Sequence, residues 1–400
     1  MKILYIHNNY KGDNSGEEHA AEGIVKLLQE HGHTVEWYRR SSSELSGSRL
    51  KEIKALFSGI WNPFAVRAVK KKLRSFQPDI VQIQNLYPLI SPAIIPAIKE
   101  AGIPLVMRCP NYRLFCAGGL FLNKQGTVCE VCTSGFRELY GVTNNCEKSY
   151  FKSIGYALRN FAARRIWGLY TRVDTYIVQS EFQKKKFIDN GIDGSKIDIL
   201  PGLTPEISKS QDTKNQLGTN NYISFVGRVS MEKGIEEFIQ AARALPTLPF
   251  AVVGKLENEL EYLKQKSPEN VLWTGFLKGQ DLDNFYADSR IIVVPGKWYE
   301  GFPNVITRAM KHAKPVITSR LGAMASIIDH EQNGLLVEPG DASGLAESIQ
   351  YLYNQPELCC KLGENGRKKA EEQYSSDQIY QKLIEVYEGM KRPPNPQMGA

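Results

Sequence analysis

The chain has 400 residues, 42% hydrophobic and 10% aromatic, which suffices for two cores of ordinary domain size and excludes wholesale disorder. Its net charge of +7 is unevenly spread, +10 over residues 1–200 and −3 over 201–400. The basic runs at 67–74, 159–172 and 184–186 fit solvated helix faces, or attraction to an anionic membrane surface or phosphorylated acceptor; no nucleic-acid-binding signature accompanies them, so no nucleic-acid partner is expected.

Residues 1–7 carry one positive charge and a short apolar run and read as a first strand, not an export signal. The longest apolar stretch, 86–98, contains Pro88, Pro92 and Pro96 and falls short of the roughly 20 residues a membrane span requires. The expected location is therefore cytoplasmic, with peripheral association at the membrane face. Seven cysteines, an odd count without an export signal, argue against a disulfide framework.

Short β-branched runs at 2–7, 34–38, 79–84, 104–107 and 175–179 alternate with amphipathic stretches, as in a parallel sheet covered by helices on both faces. The pattern restarts at 222–226, 250–253, 271–274, 291–295 and 315–318, after a turn-rich hinge at 201–221. The fold class is thus α/β, with a doubly wound domain over 1–200, a second over 201–374, a helix over 375–391 packing back on the first domain, and a flexible tail at 392–400. No internal repeat is present. In such sheets ligands bind beyond the carboxyl ends of the strands, which places the active site in a cleft between the two domains.

Three strand ends carry chemistry. After the first strand, a loop through Gly12 and Gly16 feeds a helix with Ala21, Ile24, Val25 and Leu28 on its apolar face, and Ser15 with Glu18 has capping-box spacing. Exposed amides at such a turn suit a phosphate. The strand 223–226 leads into Gly227-Arg228-Val229-Ser230-Met231-Glu232-Lys233-Gly234 and a helix bearing Ile235, Phe238, Ile239 and Ala242. Ser230 is placed to cap that helix, with Lys233 in its first turn; a lysine there opposes the helix dipole and calls for an anion. With Arg228 it offers two cations to a departing diphosphate. The strand 291–295 ends in Gly296-Lys297-Trp298-Tyr299-Glu300-Gly301-Phe302-Pro303-Asn304, with Pro303 suited to the first turn of the next helix and Glu300 able to accept hydrogen bonds from sugar hydroxyls.

These pieces in this order resemble the retaining glycosyltransferases of family 4, which have the GT-B fold, two facing Rossmann-like doubly wound domains. The likeness is carried by Phe225-Val226-Gly227-Arg228, Glu232-Lys233-Gly234, Tyr299-Glu300-Gly301-Phe302-Pro303, Lys314-Pro315-Val316-Ile317 and Asn333-Gly334-Leu335-Leu336. The resemblance implies that Arg228 and Lys233 hold the donor diphosphate and that Glu300, the first glutamate of a Glu-x7-Glu motif, contacts the transferred sugar. It also implies that Gly275 and Phe276 lie by the base, that Gly16 lies near the phosphates, and that Gly227, Gly301, Phe302, Pro303 and Asn304 line the donor site. No cofactor and no catalytic metal are expected, since Arg and Lys supply the charge that Mg²⁺ supplies elsewhere.

The sequence departs from the family pattern twice. The second glutamate of Glu-x7-Glu, which in the family receives the ribose hydroxyls, falls at Arg308. Pro110 stands where many members have a sugar-binding histidine, leaving the sugar or acceptor contact to Asn111 or Arg113. The loop 109–146 carries Cys109, Cys116, Cys129, Cys132 and Cys146; the spacing Cys116-x12-Cys129-x2-Cys132-x13-Cys146 would suit a structural zinc, and reduced thiols packed in the loop are the alternative. The expectation is a retaining, metal-independent hexosyltransferase using a nucleotide-diphosphate sugar, UDP-glucose being the type case, on a glycan or lipid-linked glycan acceptor in polysaccharide biosynthesis. A non-catalytic GT-B homologue and a nucleotide-sugar 2-epimerase are the rivals.

Overall fold

Runs such as Ile80–Asn85 and Phe250–Val253 are buried at every position, as strands covered on both faces must be. In the computed structural model, which describes residues 1–10, 16–45, 56–133, 137–207 and 221–390, these runs form two six-stranded sheets, parallel throughout. The chain divides into two compact units, one of 1–121, 129–203 and 379–400, the other of 122–128 and 204–378.

The strands of unit 1 are β1 (Lys2–Asn9), β2 (Thr34–Ser41), β3 (Ile80–Asn85), β4 (Leu105–Arg108), β5 (Thr175–Val178) and β6 (Ile197–Ile199), in the spatial order β2-β1-β3-β4-β5-β6. Its helices are α1 (Gly16–Glu30), α2 (Pro63–Phe76), α3 (Ile94–Glu100), α4 (Arg137–Thr143), α5 (Tyr150–Arg165) and α6 (Glu181–Asp189). Local chemistry sets several helix starts. Asn62 Oδ1 accepts from the amides of Phe64 and Ala65, both at 3.1 Å, with Pro63 in the first turn, and Ser180 caps α6.

Unit 2 contains β7 (Tyr222–Val226), α7 (Ile235–Ala244), β8 (Phe250–Val253), α8 (Glu261–Gln265), β9 (Val271–Gly275), α9 (Gly279–Asp288), β10 (Ser289–Val294), α10 (Asn304–Lys311), β11 (Val316–Ser319), α11 (Gly322–Ile327), β12 (Gly334–Val337), α12 (Ala342–Tyr353) and α13 (Pro356–Tyr374). Its strand order is β12-β11-β10-β7-β8-β9. Phe225, Phe238, Phe250 and Ile291 centre the core on one face of this sheet, and Ile292, Met310, Met324 and Tyr286 that on the other.

The last helix, α14 (Ser376–Gly389), places Ile379, Leu383 and Tyr387 in the core of unit 1, all fully buried, and the Tyr387 hydroxyl donates to Gln82 on β3. His33 Nε2 lies 2.9 Å from the Tyr380 hydroxyl. Two strands, β6 and β12, are additional to those expected from periodicity. At three and four residues they are too short to show an alternation of their own. Ser15, most of the hinge at 201–221 and the tail at 392–400 lie outside the described residues.

Candidate functional site

The chain of unit 2 runs outward from β7 through β8 and β9, then returns to lay β10 on the opposite side of β7. The topological switch point is therefore between β7 and β10, and the loops leaving their carboxyl ends are where this architecture receives ligands. Both loops carry the sequence-predicted residues. After β7, Gly227 and Gly234 have φ of 142° and 77°, and a Cβ on Gly234 would come within 1.9 Å of the Pro295 carbonyl oxygen at the end of β10. That close approach brings the two loops together, and the Lys297 amide donates to the Glu232 carbonyl at 2.8 Å.

As a result the Lys233 ammonium pairs with the Glu300 carboxylate across the switch point, and lies 5.2 Å from the centroid of the Trp298 ring. The Glu300 side chain is 7% exposed and that of Lys233 21%, so little solvent screens them. Trp298 Nε1, on the loop that carries Glu300, and Asn304 Oδ1, at the start of α10, are buried and have no hydrogen-bond partner among the described residues, a free donor and a free acceptor. Gly301 and Pro303 are buried, and Phe302 packs edge-on against Tyr374 at 5.5 Å.

Two local expectations need correction. Residues 231–233 form a 3-10 turn ended by Gly234, and α7 begins only at Ile235, so Lys233 precedes the helix. Ser230 makes no capping hydrogen bond and donates instead to Glu232 Oε1 at 2.7 Å. A lysine standing off the first turn escapes the dipole penalty that the sequence pattern implied. Pro303 likewise lies one residue before α10, because the turn is closed by the Asn304 amide donating to the Phe302 carbonyl at 3.1 Å.

Arg228, half exposed, pairs with Glu232 and, through Nη1 at 2.6 Å, with Glu257. Arg308 turns away from solvent. Its Nε and Nη2 reach Asp283 Oδ1 at 3.1 and 2.6 Å, and His312 Nε2 meets the same oxygen at 3.1 Å. Sequence reasoning assigned no role to Glu257 or Asp283. Neither stands in a motif, and only the folded chain brings them to their arginines; Glu232, by contrast, adjoins Lys233 and was legible as a neighbour. Gly275, with φ of 78°, ends β9, and the Gly254 amide at the end of β8 donates to its carbonyl at 2.9 Å. Phe276, 66% exposed, therefore stands two strands from Arg228 on the same sheet edge.

In unit 1 the switch point lies between β1 and β3. Gly16 is the first residue of α1 and is exposed, while Glu18 accepts the Tyr10 amide at 2.6 Å. Beside it, Glu17 Oε2 accepts from the Tyr10 hydroxyl at 2.8 Å and from Asn111 Nδ2 at 3.2 Å, and Arg113 Nη1 donates to the Tyr10 hydroxyl at 2.6 Å. Asn111 and Arg113 are thus brought together with Glu17, whose carboxyl is pushed up by burial against the opposing pull of Arg113. A small pocket here is lined by Glu17, Asn85, Arg108, Asn111 and Arg113. Arg108 is 1% exposed and its guanidinium nitrogens make no hydrogen bond of sound geometry, so a buried cation sits beside this pocket with the Glu17 carboxyl and the Tyr5 hydroxyl in its field. A larger concavity lined by Lys70, Arg74, Gln77 and Glu100 lies toward the amino ends of β3 and β4, the wrong end of the sheet for a ligand.

All seven thiols are free. The loop does gather its cysteines: the Cys129 amide donates to the Phe121 carbonyl at 2.7 Å, the Cys146 amide donates to the Gly141 carbonyl at 3.1 Å, and Gly141 abuts Ala117, the neighbour of Cys116. The Cys132 thiol is pushed up to about 12, by burial first and then by Cys116, Cys146 and Cys129 around it. Among the described residues no group of three or more His, Cys, Asp or Glu is arranged so that it could hold a metal ion. No described helix is long and apolar enough to cross a membrane.

Residues 207–369 match the family model described as Glycosyl transferases group 1. A Staphylococcus aureus capsular polysaccharide biosynthesis glycosyltransferase, CapM, is 32% identical over 209 residues, 50% of this chain and 52% of the relative. The chain spans about half the length of the curated relatives it matches first. Among solved structures, sucrose-phosphate synthase from Thermosynechococcus elongatus superposes with a TM-score of 0.71 at 18% identity, covering 97% of this chain and 98% of that one. Anabaena HepE in complex with UDP gives 0.66 at 19% identity, covering 98% and 100%. The chain thus has the GT-B fold of two Rossmann-like domains along its length, and its residues 207–369 match the group 1 glycosyl transferases.

Proposed function

We propose that the chain is a retaining glycosyltransferase that moves a hexose from a UDP-linked sugar to a glycan or lipid-linked glycan acceptor in polysaccharide biosynthesis, without a catalytic metal. The observation that carries this reading is the Lys233–Glu300 ion pair at the switch point of unit 2, with Arg228 on the same loop as Lys233. Breaking the anomeric carbon–oxygen bond leaves negative charge on the departing diphosphate. An ammonium and a guanidinium fixed at that point stabilise it, and losing one such donor costs about 100- to 1,000-fold in rate. This is the work a divalent cation would otherwise do.

Both cations already hold carboxylates, and the donor exchanges those partners. Arg228 and Glu257 are 51% and 40% exposed, a screened surface pair that yields readily to a diphosphate. Lys233 moving to phosphate releases the Glu300 carboxylate to accept hydrogen bonds from the sugar, and Trp298 Nε1 and Asn304 Oδ1 offer a further donor and acceptor. In this reading the leaving phosphate takes the acceptor hydroxyl proton on the same face of the sugar, which retains the anomeric configuration. The similarity to a capsular polysaccharide glycosyltransferase and to a protein crystallised with UDP supports the pathway and the nucleotide.

The test is a thermal-shift and calorimetric screen of UDP, GDP, ADP, TDP and their sugar conjugates in excess EDTA, followed by transfer assays. UDP and a UDP-hexose should raise the melting temperature, because a ligand bound only to the native state stabilises it. Binding of none of them by the folded protein would leave a non-catalytic homologue, epimerisation without transfer would reassign the chemistry, and transfer restored only by added Mg²⁺ or Mn²⁺ would end the metal-free mechanism.

A further inference from the structure

Helix α5 is inside out. Its buried face is Ser153, Gly155, Arg159, Asn160, Ala162 and Ala163, small or polar residues, whereas Phe151, Ile154, Leu158 and Phe161 are 46–53% exposed. Their spacing of three and four residues puts these four on a single stripe, the reverse of the pattern by which a surface helix of a water-soluble domain buries its apolar face. The stripe does not end with the helix. Residues 56–60 form a helical turn seated on α5, with Leu56 lying so close over Gly155 that a Cβ there would fall 1.6 Å from Leu56 Cδ1, and Trp167 Nε1 donates to the Ile60 carbonyl at 2.9 Å. This turn and the start of α2 add Phe57, Trp61 and Phe64 to the surface at 63%, 58% and 71% exposure.

The two segments that build the apolar area carry charge of one sign only. Residues 56–76 hold five Lys or Arg and residues 148–173 hold six, and neither segment contains an Asp or Glu. Beyond Phe64 the same face of α2 continues with Arg67, Lys71 and Arg74, all exposed, and Arg165 follows Phe161 on α5. None of these four cations has a salt bridge among the described residues, although the neighbouring Lys70, Lys72 and Arg164 do. An aromatic and aliphatic stripe bordered by unpaired cations is the composition of a surface that lies in a lipid headgroup layer.

We infer that this face of unit 1, formed by α5, the turn at 56–60 and the start of α2, docks on an anionic lipid bilayer, its apolar side chains entering the headgroup boundary and Arg67, Lys71, Arg74 and Arg165 meeting lipid phosphate. No described helix is long and apolar enough to cross a bilayer. A second copy of the chain is the poorer occupant, because a two-fold contact would set this cationic rim against itself. The inference goes beyond the transferase reading and stands without it.

The experiment is co-sedimentation of the full chain with vesicles of phosphatidylcholine alone and of phosphatidylcholine with about 30% phosphatidylglycerol, which carries the negative surface charge. Binding should favour the anionic vesicles strongly and fall as salt is raised past about 0.5 M. Phe151→Ser with Leu158→Ser, both exposed positions, should abolish it while leaving the melting temperature and nucleotide binding unchanged. Arg67→Ser and Lys71→Ser should each weaken it about five-fold. Failure to bind either vesicle, equal binding to both, or binding untouched by the paired serine substitutions would overturn the inference. So would a dimer in sedimentation velocity that those substitutions dissociate.

Discussion

Arg308 Nη2 donates to Asp283 Oδ1 at 2.6 Å, and Asp283 is 3% exposed. The position where the sequence resemblance led one to expect a second glutamate is therefore used here to neutralise a buried carboxylate from α9. Removing one partner of a buried pair strands the other charge, at a cost of about 3 kcal/mol or more. Arg308→Ala should lower the stability by roughly that amount in urea unfolding, and Arg308→Glu, which sets two carboxylates together, should lower it further. A variant as stable as the parent would show that His312 and the other groups around Asp283 satisfy it without the arginine.

Lys233→Ala and Glu300→Gln should each reduce turnover by about 100-fold or more. The two losses should differ in kind. Lys233→Ala removes a diphosphate contact and should weaken UDP binding as well, whereas Glu300→Gln should leave UDP binding near the parent level and lose the rate. Steady-state kinetics beside calorimetry separates these, and turnover unchanged in either variant would remove that residue from the mechanism.

Gly234→Ala should destabilise unit 2. The backbone there has φ of 77°, and a Cβ would meet the Pro295 carbonyl oxygen at 1.9 Å. The β7 and β10 loops would have to separate, breaking the Lys233–Glu300 pair, so stability and activity should fall together in melting and transfer assays. Retained activity would mean that the loops need not touch.

The His7 imidazole is 1% exposed, neither ring nitrogen has a hydrogen-bond partner among the described residues, and burial, then Arg39, hold it down to about 4. Above about pH 6.5 the ring is neutral in both folded and unfolded chains and contributes no slope. Between 6.5 and 4 the unfolded chain takes up a proton that the folded chain refuses, so stability falls as pH falls, by roughly 3 kcal/mol across the window. His312 is lowered too, by burial, and acts in the same direction. Denaturant titrations from pH 7 to 4 should show this loss, and His7→Asn should flatten it; an equal slope in the variant would reject the assignment.

Cys109, raised by burial, and Cys132, held near 12, should resist iodoacetamide at pH 8 in the native protein, while exposed Cys360 reacts. Peptide mapping before and after denaturation reads this directly. Rapid native labelling of Cys132 would show that the loop opens.

Much of the fold was legible because a parallel sheet announces itself locally. Strands such as Tyr222–Val226 and Phe250–Val253 are apolar enough to read one at a time, and the glycines at 227 and 234 mark turns that other residues fill only under strain. Those two glycines flank Arg228 and Lys233, and Gly296 and Gly301 bracket Glu300, each within a short motif. The edge strands β6 and β12 were not legible, since β6 is three residues broken by the exposed Asp198 and β12 opens on a glycine.

The sequence by itself determined two doubly wound domains, the loops that bear the cations and the glutamate, and the departure at Arg308. Tertiary structure alone decided which charges meet. Glu257 is 29 residues from Arg228, Asp283 is 25 from Arg308, and Glu300 is 67 from Lys233. Local periodicity fixes where a side chain stands along its own strand or helix. The pairing of strand ends, set by the order of β10 and β7 in the sheet, fixes what it faces.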